Sequence, residues 1–194
     1  MNKPQSDVMS IPFVLGFYGI MGLSGVVWLF FETGNAMPTI IPEKGNLLAY
    51  CVAAGAFSLF IVSLTPTILK VSSPLRHLTL EIRSLLGNLS HKEVLILALA
   101  SGIGEELLFR GAIQESLGLI WASIIFGLLH GLPGTRLAHW GIFAFIVGLF
   151  FGVLQEQSQS ILPPILAHFG INYINIKRIV RGDLYLEPPA DAKT

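Results

Sequence analysis

Apolar residues run uninterrupted by charge from Ile11 to Phe31, and again from Leu47 to Leu69. Each stretch has the ~20 residues a helix needs to cross the hydrocarbon core of a bilayer. A signal-peptide core is only about 7–15 residues long, so the first stretch reads as a retained span. Between them, Glu32 to Asn46 carries Pro38, Pro42 and other turn formers, the pattern of a loop. Pro66 falls near the end of the second stretch, where a membrane helix tolerates a kink.

Residues 70–92 have a different pattern. Lys70, Arg76, His77, Glu81, Arg83 and Lys92 alternate with Leu75, Leu78, Ile82, Leu85, Leu86 and Leu89 at intervals of three and four. That spacing predicts an amphipathic helix lying on the membrane surface. A third apolar stretch starts near Glu93, a fourth covers about 118–131 and a fifth about 138–154. The last, about 160–176, is entered through Pro163 and Pro164, where proline costs a helix least. The fourth is short for a crossing, which calls for a tilted third helix or a loop that dips inward. Beyond Arg181 the tail is polar and proline-bearing. The predicted fold is all-α, a polytopic transmembrane helix bundle with about six spans and an amphipathic interfacial helix.

Composition agrees. Hydrophobic residues make up 53% of the 194, and charged residues only 12%, about half the usual share in a soluble domain. Net charge is zero, and no basic cluster suggests a nucleic-acid partner. Basic residues inform through their placement instead. Lys3, Lys70, Arg76, Arg83, Lys92, Arg136, Lys177, Arg178, Arg181 and Lys193 fall on one side of a six-span layout, with only Lys44 opposite and Arg110 inside. The asymmetry predicts both termini in the cytoplasm. Cys51 is the single cysteine, in an apolar run, so it can form neither an internal disulfide nor a C-x-x-C site.

Against that apolar background stands SGIGEELLFRG, residues 101–111. A charge at the centre of a membrane helix costs about 2.5–3.5 kcal/mol on insertion scales, so Glu105, Glu106 and Arg110 need partners. Glu106 and Arg110 are four apart, stacked on one helix face and suited to an ion pair. Glu105 is rotated roughly 140° from Arg110, which leaves it available for chemistry. Phe126 and His130 share a face in the fourth stretch, as do His168 and Asn172 in the last. Taken singly, each could be a satisfied polar residue gluing helices together. Together with the acid pair they point to one shared site.

The other candidates are weaker. His77 and His91 read as interfacial, and His139 opens the fifth stretch beside Trp140, a boundary anchor. Trp28 and Trp121 read as packing or interfacial anchors. Gly102, Gly104, Gly111 and Gly127 would let helices approach closely. Ser101 and Ser123 have no context that marks a nucleophile. An acid, two imidazoles and an amide suffice for water attack on an amide carbonyl, with general-base help and donors for the oxyanion. The HExxH zinc signature is absent. A zinc site would have to be assembled from Glu105, His130 and His168 across helices, and no cofactor is favoured.

Glu105-Glu106-Leu-Leu-Phe-Arg110, then Phe126-Gly-Leu-Leu-His130, then His168-Phe-Gly-Ile-Asn172 resemble the three motifs of the CPBP intramembrane proteases. These comprise CAAX-type prenyl-protein endopeptidases and bacteriocin-processing or immunity proteins, also called the ABI family. The resemblance covers roughly 92–177. It implies an intramembrane endopeptidase in which Glu105 and His130 activate water and His168 and Asn172 stabilise the oxyanion. Glu106, Arg110 and Phe126 would support them. The family name says metalloprotease, yet the glutamate-dependent, metal-free mechanism associated with its prenyl-protease branch is the form expected here.

On this reading the chain divides into an N-terminal transmembrane pair with the interfacial helix (1–91), a catalytic core (92–180) and a polar tail (181–194). Six spans are fewer than the eukaryotic prenyl endopeptidases have, which points to a bacterial cell membrane protein. Its partners would be the lipid bilayer and a protein or peptide substrate. Two other classes remain open: a non-catalytic immunity or scaffold protein, and a proton-coupled transporter. Many transporters are built from paired repeats, whereas the polar groups here crowd into the second half. One geometric difficulty stands. If the third helix entered the bilayer at Glu93, Glu105 would lie roughly 18 Å deep, out of reach of a His130 near the cytoplasmic face. A third helix that begins in cytoplasmic water, and a site in a water-filled cavity opening to that side, would reconcile the two.

Overall fold

The computed structural model describes residues 10–35, 37–42, 45–135 and 137–184. Lys3, Lys44, Arg136 and Lys193, counted above for orientation, and the tail beyond 184 lie outside these. Among the described residues every regular element is helical: α1 (Ile11–Thr33), α2 (Leu47–Val71), α3 (Ser73–Leu86), α4 (His91–Leu108), a π-helical turn (Phe109–Ile113), α5 (Gln114–His130), α6 (Ala138–Ser158) and α7 (Leu162–Arg181).

Local chemistry sets the ends. The Asn46 side chain accepts from the Ala49 amide to start α2, which continues through Pro66 to Val71 and so takes in Lys70. The amphipathic helix is therefore shorter than the pattern implied. Pro74 lies in its first turn, and Gly87, at φ 58°, ends it. α4 begins with a reciprocal cap in which the Ser90 amide donates to Glu93 Oε2 at 2.8 Å and Ser90 Oγ accepts from the Glu93 amide. His91 and Lys92 beside it are exposed. Pro163 and Pro164 open α7, as their fixed φ favours.

Four helical segments have the length and hydropathy to cross a membrane: Ile11–Thr33, Leu47–Val71, His91–His130 and Ala138–Ser158. The third counts as two passes, because Gly118 breaks it at φ 81°, ψ 166°, backbone open essentially to glycine alone. α7 falls short on hydropathy because it carries His168, Asn172, Asn175, Lys177 and Arg178. α1 and α2 are apolar on every side, and only 22% of each span is buried. Phe13, Ile20, Leu23 and Phe31 of α1 are among the side chains left facing outward, as expected of helices in lipid.

The reversal at Gly118 sets the depth of the site. From Glu105 to Gly118 is 13 residues, and from Gly118 to His130 is 12, arms of about 20 and 18 Å. A straight helix would separate Glu105 from His130 by about 37 Å. The folded-back pair instead brings His130 Nε2 within 3.8 Å of Glu105. The short fourth stretch thus ends level with Glu105, and α4 extends about 21 Å further, back to His91. The depth mismatch anticipated from the sequence disappears.

Close approaches hold the helices in place. A Cβ at Gly104 would lie 2.5 Å from the Tyr18 carbonyl oxygen, and one at Gly25 would run into that of Leu107. α1 and α4 therefore touch backbone to backbone. Gly141 against Gly131 does the same for α5 and α6, where a Cβ on Gly141 would run into the Gly131 carbonyl. Of the four glycines singled out in sequence, Gly102, Gly104 and Gly127 sit at tight contacts, whereas Gly111 has ordinary clearance. Ala54, Ile61 and Val62 of α2 pack on Val147 and Phe151 of α6 and on Ala167 and Ile171 of α7, which seats the last helix against the polar turn of α4.

Candidate active site

Among the described residues Glu106 and Arg110 are the most deeply buried charges, with 0% and 1% of their surfaces exposed. Arg110 Nε and Nη1 each lie 3.3 Å from a Glu106 oxygen. Its Nη2 donates to the Gly148 carbonyl of α6 at 2.9 Å. The guanidinium sits over the rings of Phe126 and Phe151, 4.8 and 5.4 Å from their centroids, a favourable setting for a desolvated cation. The pair forms where α4 gives way to the π-helical turn containing Arg110. Such turns recur at functional sites.

Glu106 also fixes a histidine. His168 Nδ1 lies 2.7 Å from Glu106 Oε1. A carboxylate can only accept, so Nδ1 carries the proton, and Nε2 is aimed away from it. The second histidine is held in the same way. His130 Nδ1 donates to the Phe126 carbonyl at 2.8 Å, and its ring lies 4.3 Å from that of Phe126. The neutral ring then presents Nε2 as an acceptor. Both Nε2 atoms converge on one oxygen: Glu105 Oε2 is 3.8 Å from that of His130 and 3.9 Å from that of His168. This oxygen is buried and has no direct hydrogen-bond partner.

Asn172, one turn along α7 from His168, donates one amide hydrogen to Ser101 Oγ at 2.9 Å. Its second amide hydrogen is available to a ligand. These groups line a cavity of about 280 Å³ together with Tyr18, Trp140 and Phe143. Ile82 and Leu86 of α3 and Ile176 and Ile179 of α7 form its outer wall, at the same end as Arg83, Lys177 and Arg178.

Zinc bound tetrahedrally at about 2.0–2.1 Å sets its donor atoms roughly 3.4 Å apart. Glu105 Oε2 stands 3.8 and 3.9 Å from the two Nε2 atoms, a few tenths of an ångström beyond that spacing, and among the described residues no three His, Cys, Asp or Glu are drawn together in metal-binding geometry. The separations suit a shared water better, since polar atoms beyond about 3.5 Å are commonly bridged by one.

Three contributors carried no signal that the sequence reading used. Tyr18 comes from α1, a span matched to no motif, yet it lines the cavity with Glu105 and interacts with that carboxylate. Ser101, set aside for lack of context, is buried and holds Asn172. Trp140, read as a boundary anchor, instead forms cavity wall 5.8 Å from the His130 ring. His139 next to it is exposed. His77 is half-buried, and His91 is exposed and meets the Tyr173 hydroxyl. Of the other tryptophans, Trp28 donates to Ser116 across α1 and α5, and Trp121 is largely exposed.

The family model described as "Type II CAAX prenyl endopeptidase Rce1-like" matches residues 88–174. That segment holds every residue of the acid pair, both histidines and Asn172. The match covers a little under half of the chain, and over that segment the chain is similar to the Rce1-like family. An "Uncharacterized protein YpbD" of Bacillus subtilis (strain 168) is 34% identical over 83 residues, 42% of this chain and 42% of that protein. The chain thus spans less than half the length of that Rce1-like relative. No solved structure matches. Tyr18, Ile82 and Leu86 of the cavity wall lie outside the Rce1-like segment.

Proposed function

We propose that the protein is an intramembrane endopeptidase that hydrolyses a peptide bond near the cytoplasmic face of the membrane. The observation that carries this reading is the convergence of two Nε2 atoms on the buried, unpaired Glu105 Oε2. A water seated among them would donate one hydrogen bond to Glu105 and another to His130 Nε2. As its oxygen attacks the substrate carbonyl carbon, the proton passes to Glu105. The negative charge gathers on the carbonyl oxygen, where the free Asn172 amide hydrogen can donate to it. His168 can donate from Nε2 as well when its ring carries protons on both nitrogens. Collapse of the adduct breaks the C–N bond, and Glu105 returns the proton to the departing amine. Side chains and water carry every step.

Glu106 and Arg110 support this chemistry without touching the reacting atoms. Their mutual neutralisation lets a carboxylate grip His168 inside an apolar bundle without leaving an unpaired charge. Arg76, Arg83, Lys92, Lys177 and Arg178 lie around the helix ends next to the cavity, which supports a cytoplasmic opening. The family description supports a membrane-tethered, lipid-modified peptide as the substrate class to try first.

The test is reconstitution of the purified chain in vesicles of bacterial phospholipid. Internally quenched peptides anchored by a prenylated cysteine or by an apolar helix serve as substrates. Cleavage in water enriched in ¹⁸O should place the label in the new carboxylate, and mass spectrometry locates the bond. Absence of cleavage across both peptide classes, and across co-expressed membrane proteins of the source cell, would overturn the assignment.

A further inference from the structure

We infer that Tyr18 is a positioning residue for the reaction proposed above, holding the Glu105 carboxylate so that Oε2 faces the two imidazoles. The inference rests on that functional reading but on separate observations. Tyr18 is half-buried, lines the cavity beside Glu105 and interacts with its carboxylate. The phenol donates, because a carboxylate can only accept.

Its placement is fixed by a close backbone contact between α1 and α4. Gly104 immediately precedes Glu105, and a Cβ there would meet the Tyr18 carbonyl oxygen at 2.5 Å and the Tyr18 Cβ at 3.0 Å. The α1 backbone is thus pressed onto α4 one residue from the acid. Gly22, one turn further along α1, packs against Gly104 and Leu107 and continues the seam. Tyr18 packs against the core cluster that includes Val14 and Leu97.

The orientation matters because a carboxylate on a flexible two-carbon stem has no fixed direction of its own. Arg110 is committed to Glu106 and Gly148, and the imidazoles stand too far off for direct hydrogen bonds. Tyr18 lines the same cavity as Glu105 and brings a donor to its carboxylate from α1. Hydrogen bonds of this kind hold catalytic groups in productive geometry.

The experiment compares wild-type protein with Tyr18→Phe in vesicles, using the internally quenched prenylated peptide. Phenylalanine keeps the ring packing and removes only the hydroxyl. The expected result is a fall in kcat of about tenfold, with KM and thermal stability unchanged. Infrared difference spectroscopy gives a second readout that needs no substrate. The Glu105 carboxyl band, identified by its loss in Glu105→Gln, should shift in Tyr18→Phe. Unchanged kcat with an unmoved band would overturn the inference, as would a parallel loss of kcat, KM and stability, which marks a packing role. If wild type cleaves no peptide, the endopeptidase reading fails on its own. The band then decides whether Tyr18 holds Glu105.

Discussion

Replacing Arg110 by methionine would remove one charge from a fully buried ion pair while filling a similar volume. Glu106, with none of its surface exposed, would then be an uncompensated carboxylate next to His168. Breaking a buried pair by deleting one partner costs about 3–5 kcal/mol. Loss of the guanidinium from above Phe126 and Phe151 adds about 1–2 kcal/mol. The Gly148 carbonyl lies within α6 and keeps a helical partner, so its loss adds little. The single variant should therefore lose about 4–7 kcal/mol. Replacing both charges, Glu106→Gln with Arg110→Met, removes the stranded anion, and such neutral replacements are often tolerated. The double variant should recover at least half the loss, because the introduced amide oxygen can still accept from His168 Nδ1. Equilibrium unfolding by sodium dodecyl sulfate in mixed micelles, followed by tryptophan fluorescence, measures both. A single variant as stable as wild type would refute the reasoning, as would a double variant less stable than the single one.

Three further outcomes follow from particular contacts. Gly118→Ala places a side chain at φ 81°, ψ 166° with nothing within 4 Å, so the same unfolding assay should show a loss of about 1–3 kcal/mol from backbone strain alone. Wild-type stability there would mean that the chain does not turn at that residue. Gly141→Ala drives a Cβ into the Gly131 carbonyl oxygen. It should cost about 1–3 kcal/mol, with activity lost as α5 and His130 shift. Ser101→Ala removes the acceptor that holds Asn172, and steady-state kinetics should show kcat falling roughly three- to tenfold with KM within about twofold.

The all-helical membrane layout was legible because apolar runs of membrane length announce themselves, and helix ends observed at 33, 71 and 158 lie within a few residues of those predicted. Helical arithmetic also suffices to stack Glu106 on Arg110, since positions four apart share a face whatever surrounds them. What was hidden depends on contacts between distant segments. That His130 returns to the level of Glu105 requires knowing that Gly118 reverses the chain, and an isolated glycine in an apolar run gives no such notice. Tyr18 is one phenol in a span whose apolar residues mostly face lipid. Its only available signal was the spacing of Gly22 and Gly25 against Gly104, small residues that let two backbones meet. Trp140 announces only a boundary position, because tryptophan at a helix start ordinarily marks one, and its place in the cavity wall depends on how α5 and α6 meet. Here the helix start borders the cavity.

The central claim is that Glu105, rather than Glu106, activates the hydrolytic water between the two imidazoles. Steady-state cleavage of the same vesicle-bound peptide by Glu105→Gln tests it most directly, because glutamine keeps the size and hydrogen-bonding shape of the side chain but cannot take a proton. The account predicts a loss of kcat of at least about a thousandfold in a protein that unfolds like wild type. Turnover within about twofold of wild type would contradict it.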